Sequence, residues 1–320
     1  MKLPTLILCA LVAVSAAASS RRPVTVTEAT PFAAGYEYTF RYATQIGSGI
    51  RSQPNAETFE SQQATYQIAA DAVIHFQTER IATLRLKDVI VTSQNGAVID
   101  PRRVASVNIG EEQTLETQIL EQLEYVVKFD YVNGLIEKVY FNGKDATWSK
   151  NVKRAILNMV QLNLARQNMP SEGTNYVETA SKNMFNLPEV SLEGDCQTMY
   201  VISSPVSQFF NVTKSIDFKQ CRRIAKIQYG PRATKQCAEC QKQADQQLDR
   251  ASVLQFELIG TPEKYAIRRV QLLSQYVYKT LATESAHPMQ TIVASELFLT
   301  AVEKKTVKAL PTVRRQRIHR

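Results

Sequence analysis

Apolar and polar residues alternate with a period of two through most of the first half of the chain, the pattern of strands with one buried and one wet face. Tyr36, Tyr38, Phe40 and Tyr42 share one side, with Glu37, Thr39 and Arg41 on the other. Tyr66, Ile68, Ala70, Ala72, Ile74 and Phe76 form a second row, opposed by Gln67, Asp71, His75 and Gln77, and Ala82, Leu84 and Leu86 start a third. Tyr125, Val127, Phe129 and Tyr131 lead into Asn133-Gly134, and Leu135 to Phe141 returns. Asn-Gly predicts a type I′ hairpin turn, because both residues tolerate positive φ and the turn matches strand twist. Antiparallel sheet follows from these rows.

One segment of this half has a helical period instead. From about Trp148 to Arg166, Lys150, Asn151, Arg154, Asn158 and Gln161 share a narrow polar arc. Trp148, Val152, Ala155, Ile156, Met159, Val160 and Leu164 cover more than half the circumference. A helix this apolar is normally wrapped by other structure, so the pattern predicts a sheet curled around it. Asp145 or Thr147 is the expected cap. Asn168 to Pro188 reads as a polar, irregular loop. Strands resume at Cys196–Ser203, Gln208–Phe218, Leu254–Ile259, Tyr265–Tyr278 and Ile292–Ala301, interrupted by a polar run from Gln241 to Arg250.

The start of the chain sets the compartment to be expected. Lys2, the apolar run Leu6 to Val14 and the small residues Ser15 to Ser20 form a signal peptide over residues 1–18, too short to anchor in a bilayer. Residues 19–301 then make the main domain and residues 302–320 a basic tail. Within that tail, Arg314-Arg315-Gln316-Arg317 has the spacing that secretory convertases accept, and it also reads as a solvated charge run. The protein is expected to be secreted, with no transmembrane anchor. Its hydrophobic content of 44% suits a chain that buries a core. The net charge of +8 is spread along the sequence rather than gathered between aromatics, which argues against nucleic acid as a partner.

Once the leader and Cys9 are gone, Cys196, Cys221, Cys237 and Cys240 remain, an even number in an oxidising compartment. Four cysteines allow three pairings, which the sequence alone does not separate. Cys237-Ala-Glu-Cys240 is compatible with a local structural disulfide, a redox pair or half a zinc site. No helix N-terminus is in view to activate a thiolate, and His75, His287 and His319 show no ligand spacing, so no metal is assigned. Asn211-Val212-Thr213 is an N-glycosylation acceptor whose Asn211 falls on the wet side of its strand. Gly-rich phosphate loops, Gly-x-Ser-x-Gly elbows and His-Glu-x-x-His helices do not occur, so the chain is read as a binding module, without cofactors, and not as an enzyme.

Several stretches also carry a family resemblance. Asn133-Gly134-Leu135-Ile136, the run Trp148-Ser149-Lys150-Asn151-Val152-Lys153-Arg154-Ala155-Ile156-Leu157-Asn158, Glu193-Gly194-Asp195-Cys196, Thr213-Lys214-Ser215-Ile216-Asp217-Phe218 ahead of Cys221, and Cys237-x-x-Cys240 are the segments concerned. Together they resemble the N-terminal domain of vitellogenin and the large lipid transfer family, which includes the apolipophorins, apolipoprotein B and the microsomal triglyceride transfer protein. The resemblance implies a mainly β fold, a curled antiparallel β-barrel of the lipovitellin N-sheet type enclosing one amphipathic helix and followed by further strands. It implies the disulfides Cys196–Cys221 and Cys237–Cys240. It also implies a part in lipid-particle assembly or in recognition by a lipoprotein-family receptor, with lipid as possible ligand. Trp148, Val152, Ile156, Met159 and Val160 are then the buried face of the enclosed helix, and Lys150, Lys153 and Arg154 the candidate basic contacts. The helical arch and lipid-cavity sheets of the family are expected to be absent from these residues. The alternative function is a secreted recognition module, for a receptor or a pathogen surface, that carries no lipid. A thiol oxidoreductase would rest on Cys237 and Cys240 alone.

Overall fold

A computed structural model of the chain describes residues 31–51, 59–95, 111–112, 117–164, 183–203, 208–224, 248–262, 264–278 and 288–305. The long alternating rows become strands: β1 (Tyr36–Arg51), β2 (Phe59–Phe76) and β3 (Ile81–Asn95), with the short β4 (Glu111–Glu112) beside β3. A helix that the sequence pattern did not announce, α1 (Thr117–Glu124), precedes the Asn-Gly hairpin of β5 (Val127–Val132) and β6 (Leu135–Tyr140). After α2 (Thr147–Met159) come β7 (Met184–Val190), β8 (Gly194–Ile202), β9 (Phe209–Ile224), β10 (Leu248–Thr261), β11 (Lys264–Tyr278) and β12 (Met289–Lys304). β7 occupies a stretch expected to be loop. It is an edge strand, and its Pro188 has no N–H to leave unpaired there.

All these strands join one antiparallel sheet in the order β6-β5-β3-β2-β1-β12-β11-β10-β9-β8-β7. The pairing of β1 with β12 ties the two halves of the chain together over fifteen aligned positions, from Tyr36 beside Lys304 to Ile50 beside Met289. The sheet is strongly curled. Tyr38 and Phe40 of β1, Phe129 of β5, Tyr200 of β8, Phe210 of β9 and Phe256 of β10 belong to one buried cluster, which a flat sheet of this order could not assemble. Ile156, Leu157 and Met159 of α2 lie in that cluster, followed by Val160, Leu162 and Leu164. The curled sheet around a helix is therefore the fold, but the barrel is not closed: β6 and β7 end the strand order without pairing to each other.

Two features depart from the simple periodic reading. α2 ends at Met159 rather than continuing toward Arg166, and residues 160–164 run on as irregular, fully buried chain. The expected row on β2 also breaks. Phe76, Ile74, Ala72 and Ala70 are buried, yet Tyr66 is 51% exposed while Gln67 and Thr65 are buried. The same break runs along β1: Tyr38, Phe40, Tyr42 and Thr44 are buried, but so is Gln45, the partner of Gln67, while Ile46 beside Tyr66 is only half-buried.

Candidate functional site

The interior is organised by the irregular segment that leaves α2. Buried main chain outside a helix or ladder must find hydrogen-bond partners elsewhere, and here side chains from the surrounding strands supply them. The Tyr131 hydroxyl donates to the Val160 carbonyl (3.3 Å), Lys214 Nζ to that of Gln161 (3.2 Å) and the Tyr265 hydroxyl to that of Leu162 (2.8 Å). The Leu162 amide donates to the Gly134 carbonyl at 2.8 Å. Asn133 (φ 50°) and Gly134 (φ 83°) both adopt the left-handed conformation that the hairpin turn requires, and a Cβ at Gly134 would run into the Leu162 carbonyl. Lys214 is also ion-paired with Glu189, whose second oxygen accepts the Tyr200 hydroxyl at 2.5 Å. Burial pushes the hydroxyls of Tyr131, Tyr200 and Tyr265 above their ordinary pKa, so each stays a donor.

Two amide side chains span the gap between the sheet edges. Gln161 Oε1 accepts the Ile136 amide of β6 at 2.9 Å, and its Nε2 donates to Asn158 Oδ1 at 3.4 Å. Asn158 Oδ1 in turn accepts the Leu192 amide, in the turn between β7 and β8, at 3.4 Å. The edges that never pair as strands are thus connected through the end of α2. From the same turn, the Glu193 carboxylate reaches across to accept the Tyr276 hydroxyl of β11 at 2.8 and 2.9 Å.

The start of α2 corrects three expectations. Its N-cap position is Ala146, without a side-chain cap, whereas Asp145 turns inward and pairs with Lys153 at 2.8 Å. Both side chains of that pair are fully buried. Lys153 also donates to the Gln122 carbonyl of α1 (2.6 Å), as does Ser149 Oγ (2.8 Å), while Gln122 Oε1 accepts the Ala146 amide (2.6 Å). Burial lowers the Lys153 pKa, and Asp145 counters part of that shift. Lys153 therefore holds α1 against α2 and is not a surface contact. Because Ser149, Lys153, Ile156 and Leu157 face inward, Trp148 is turned outward and is 44% exposed, with Val152 half-buried beside it. Ile156, Met159 and Val160 are buried as expected of the enclosed face.

The sequence over residues 32–307 matches the family model of the vitellogenin N-terminal domain. The chain belongs to the vitellogenin N-terminal domain family. It is 30% identical to vitellogenin-2 of Caenorhabditis elegans over 76% of its own length and 15% of that protein. It is 26% identical to vitellogenin-6 of Oscheius tipulae over 87% of its length and 16% of that protein. The chain thus spans about one-sixth of the length of these relatives. Its fold is similar to a solved structure of lipovitellin concerned with lipid–protein interactions, with a TM-score of 0.68 and 21% identity, covering 88% of this chain and 27% of that one.

On this vitellogenin N-terminal domain the remaining candidate residues are dispersed. Cys196 and Cys221 form a disulfide between paired positions of β8 and β9. Cys237, Cys240, the expected signal peptide of residues 1–18 and Arg314 to Arg317 lie outside the described residues. Lys150 and Arg154, half-buried on α2, both stand over the ring of Phe141, with Nζ 6.0 Å and Cζ 4.7 Å from its centroid, and Arg154 donates to Asn151 Oδ1 at 3.0 Å. Asn211 is exposed on β9. No group of three or more His, Cys, Asp and Glu is placed to hold a metal among the described residues, and no helix there is long and apolar enough to cross a membrane. The interior network of Asn158, Gln161, Lys214 and the tyrosines escaped the sequence reading. Its only trace was polar residues recurring on an otherwise apolar helix.

Proposed function

We propose that this chain is a secreted, non-catalytic module of lipid-transport, yolk-precursor type that acts through its surface, in receptor recognition and particle assembly, and does not hold lipid within its curled sheet. The observation that carries this reading is the filled interior. Ile156, Met159, Leu162 and Leu164 occupy the space a lipid would need, among side chains packed from both ends of the sheet. Membership of the vitellogenin family supports the lipid-transport setting, and the Cys196–Cys221 disulfide suits an oxidising, extracellular compartment.

The outer side of α2 is the contact surface this reading favours. Trp148 offers an exposed aromatic anchor of the kind that dominates interfaces. Lys150 and Arg154, held over Phe141, supply positive charge beside it for an acidic receptor module. Binding of the purified chain to acidic lipoprotein-receptor modules, measured by surface plasmon resonance, tests the role. Affinity that falls with salt and drops about tenfold or more in Trp148→Ala and in K150E/R154E is expected. Absence of binding, or binding indifferent to these residues and to salt, would sink the receptor assignment.

A further inference from the structure

The outer face of β9, β10 and β11 carries a feature that the proposed role leaves unused. Asn211 and Thr213 alternate with the buried Phe210 and Val212, so both project away from the core. The strand register sets Asn211 beside Glu257 and Glu257 beside Arg269. One row further on, Thr213 lies beside Gln255 and Gln255 beside Gln271. These six residues line a shallow depression of about 260 Å³. The main chain of Asn211 is fixed from both sides: its amide donates to Ser203 Oγ at 2.9 Å and its carbonyl accepts the Ser203 amide at 2.8 Å. Asn211 is exposed and belongs to the lining of the depression.

We infer that Asn211 carries an N-linked glycan and that the first sugar of that glycan lies along this depression. Asn211-Val212-Thr213 meets the acceptor rule of an asparagine followed two residues later by a hydroxyl side chain. In the modification, Asn211 Nδ2 attacks the anomeric carbon of an oligosaccharide carried on a lipid diphosphate. The new C–N bond replaces the C–O bond to the diphosphate, which leaves with the electron pair, and one amide proton goes to base. The depression suits what is attached. Glu257 spends one oxygen on Arg268 and keeps the other for a sugar hydroxyl, Gln255 both donates and accepts, and Arg269 and Gln271, which already donate to Glu296, have further N–H groups to offer. A polar trough of this kind gives little to an apolar partner. The glycan marks the outer face of β9–β11 as solvent-facing and directs any docking partner to other surfaces, such as the outer side of α2.

The test uses the full chain delivered to a eukaryotic secretory pathway under a leader of established function, with mass mapping of the Asn211 peptide. The expected result is a glycan on Asn211 of the wild type, lost in Asn211→Gln and Thr213→Ala and retained in Thr213→Ser. Release by peptide N-glycosidase is expected to be slow from the native protein and complete after denaturation. Secreted, folded wild type with an unmodified Asn211 overturns the assignment. A glycan released as fast from the native as from the denatured protein overturns its placement in the depression.

Discussion

Lys153 and Asp145 show how much of this structure rests on single buried charges. Both side chains are removed from water, and their stability depends on each other and on the Gln122 carbonyl. Removing one partner leaves an uncompensated buried charge, so Lys153→Met should destabilise by about 3–5 kcal/mol, and pairing it with Asp145→Leu should recover most of that loss. Urea unfolding of both variants checks this, and equal losses in single and double mutants would refute it. Gln161 and Asn158 act as a unit, because each shares a hydrogen bond with the other as well as holding one sheet edge. Each alanine substitution should cost about 1–3 kcal/mol, with the double mutant losing less than the sum. Periodicity had no means of finding these roles. It treats a polar residue on an apolar helix as outward-facing, and the partners of Lys153 and Gln161 come from Gln122 of α1 and Ile136 of β6, on other elements.

Among the elements, the Asn133-Gly134 hairpin was fully legible because its turn chemistry is local: both residues show the positive φ that the dipeptide announces. The end of α2 was not legible, since the residues after Met159 are as apolar as those before it. They leave the helix because tyrosines and Lys214 take their carbonyls. Gly134 links the two facts. A Gly134→Ala change meets both a positive φ and the Leu162 carbonyl, and should destabilise by on the order of 3 kcal/mol, more than an alanine at an open turn glycine. The β7–β8 turn adds a pH response. Burial raises the Glu193 carboxyl above its ordinary value of 4.5, partly offset by the Tyr276 hydroxyl, the Arg250 charge and Ser274. The folded state therefore binds this proton more tightly than the unfolded chain, so its contribution to stability grows as pH falls through the raised pKa and is lost as pH rises. Thermal unfolding of wild type and Glu193→Gln from neutral pH to about pH 5 should show the wild type gaining relative to the variant; parallel curves would contradict it.

For the whole molecule, alternating rows and one broadly apolar helix together implied a sheet curled around that helix, and the sheet is so curled. The sequence could not show that β1 and β12, at opposite ends of the domain, are neighbours, nor that β6 and β7 stay unpaired. Those are long-range choices without a local signature. The unpaired edges also give the fold its character, because the chain's own helix and buried exit segment bridge them from inside. An interior filled in this way leaves the module its surface to work with, which is the centre of the functional reading. Native mass spectrometry of the chain, incubated with phospholipid and triglyceride and separated from free lipid, tests that reading most directly. The expected spectrum is that of the polypeptide with its covalent modifications and no lipid adduct. A stoichiometric lipid adduct lost on Leu162→Trp, a change that crowds the interior, would contradict it.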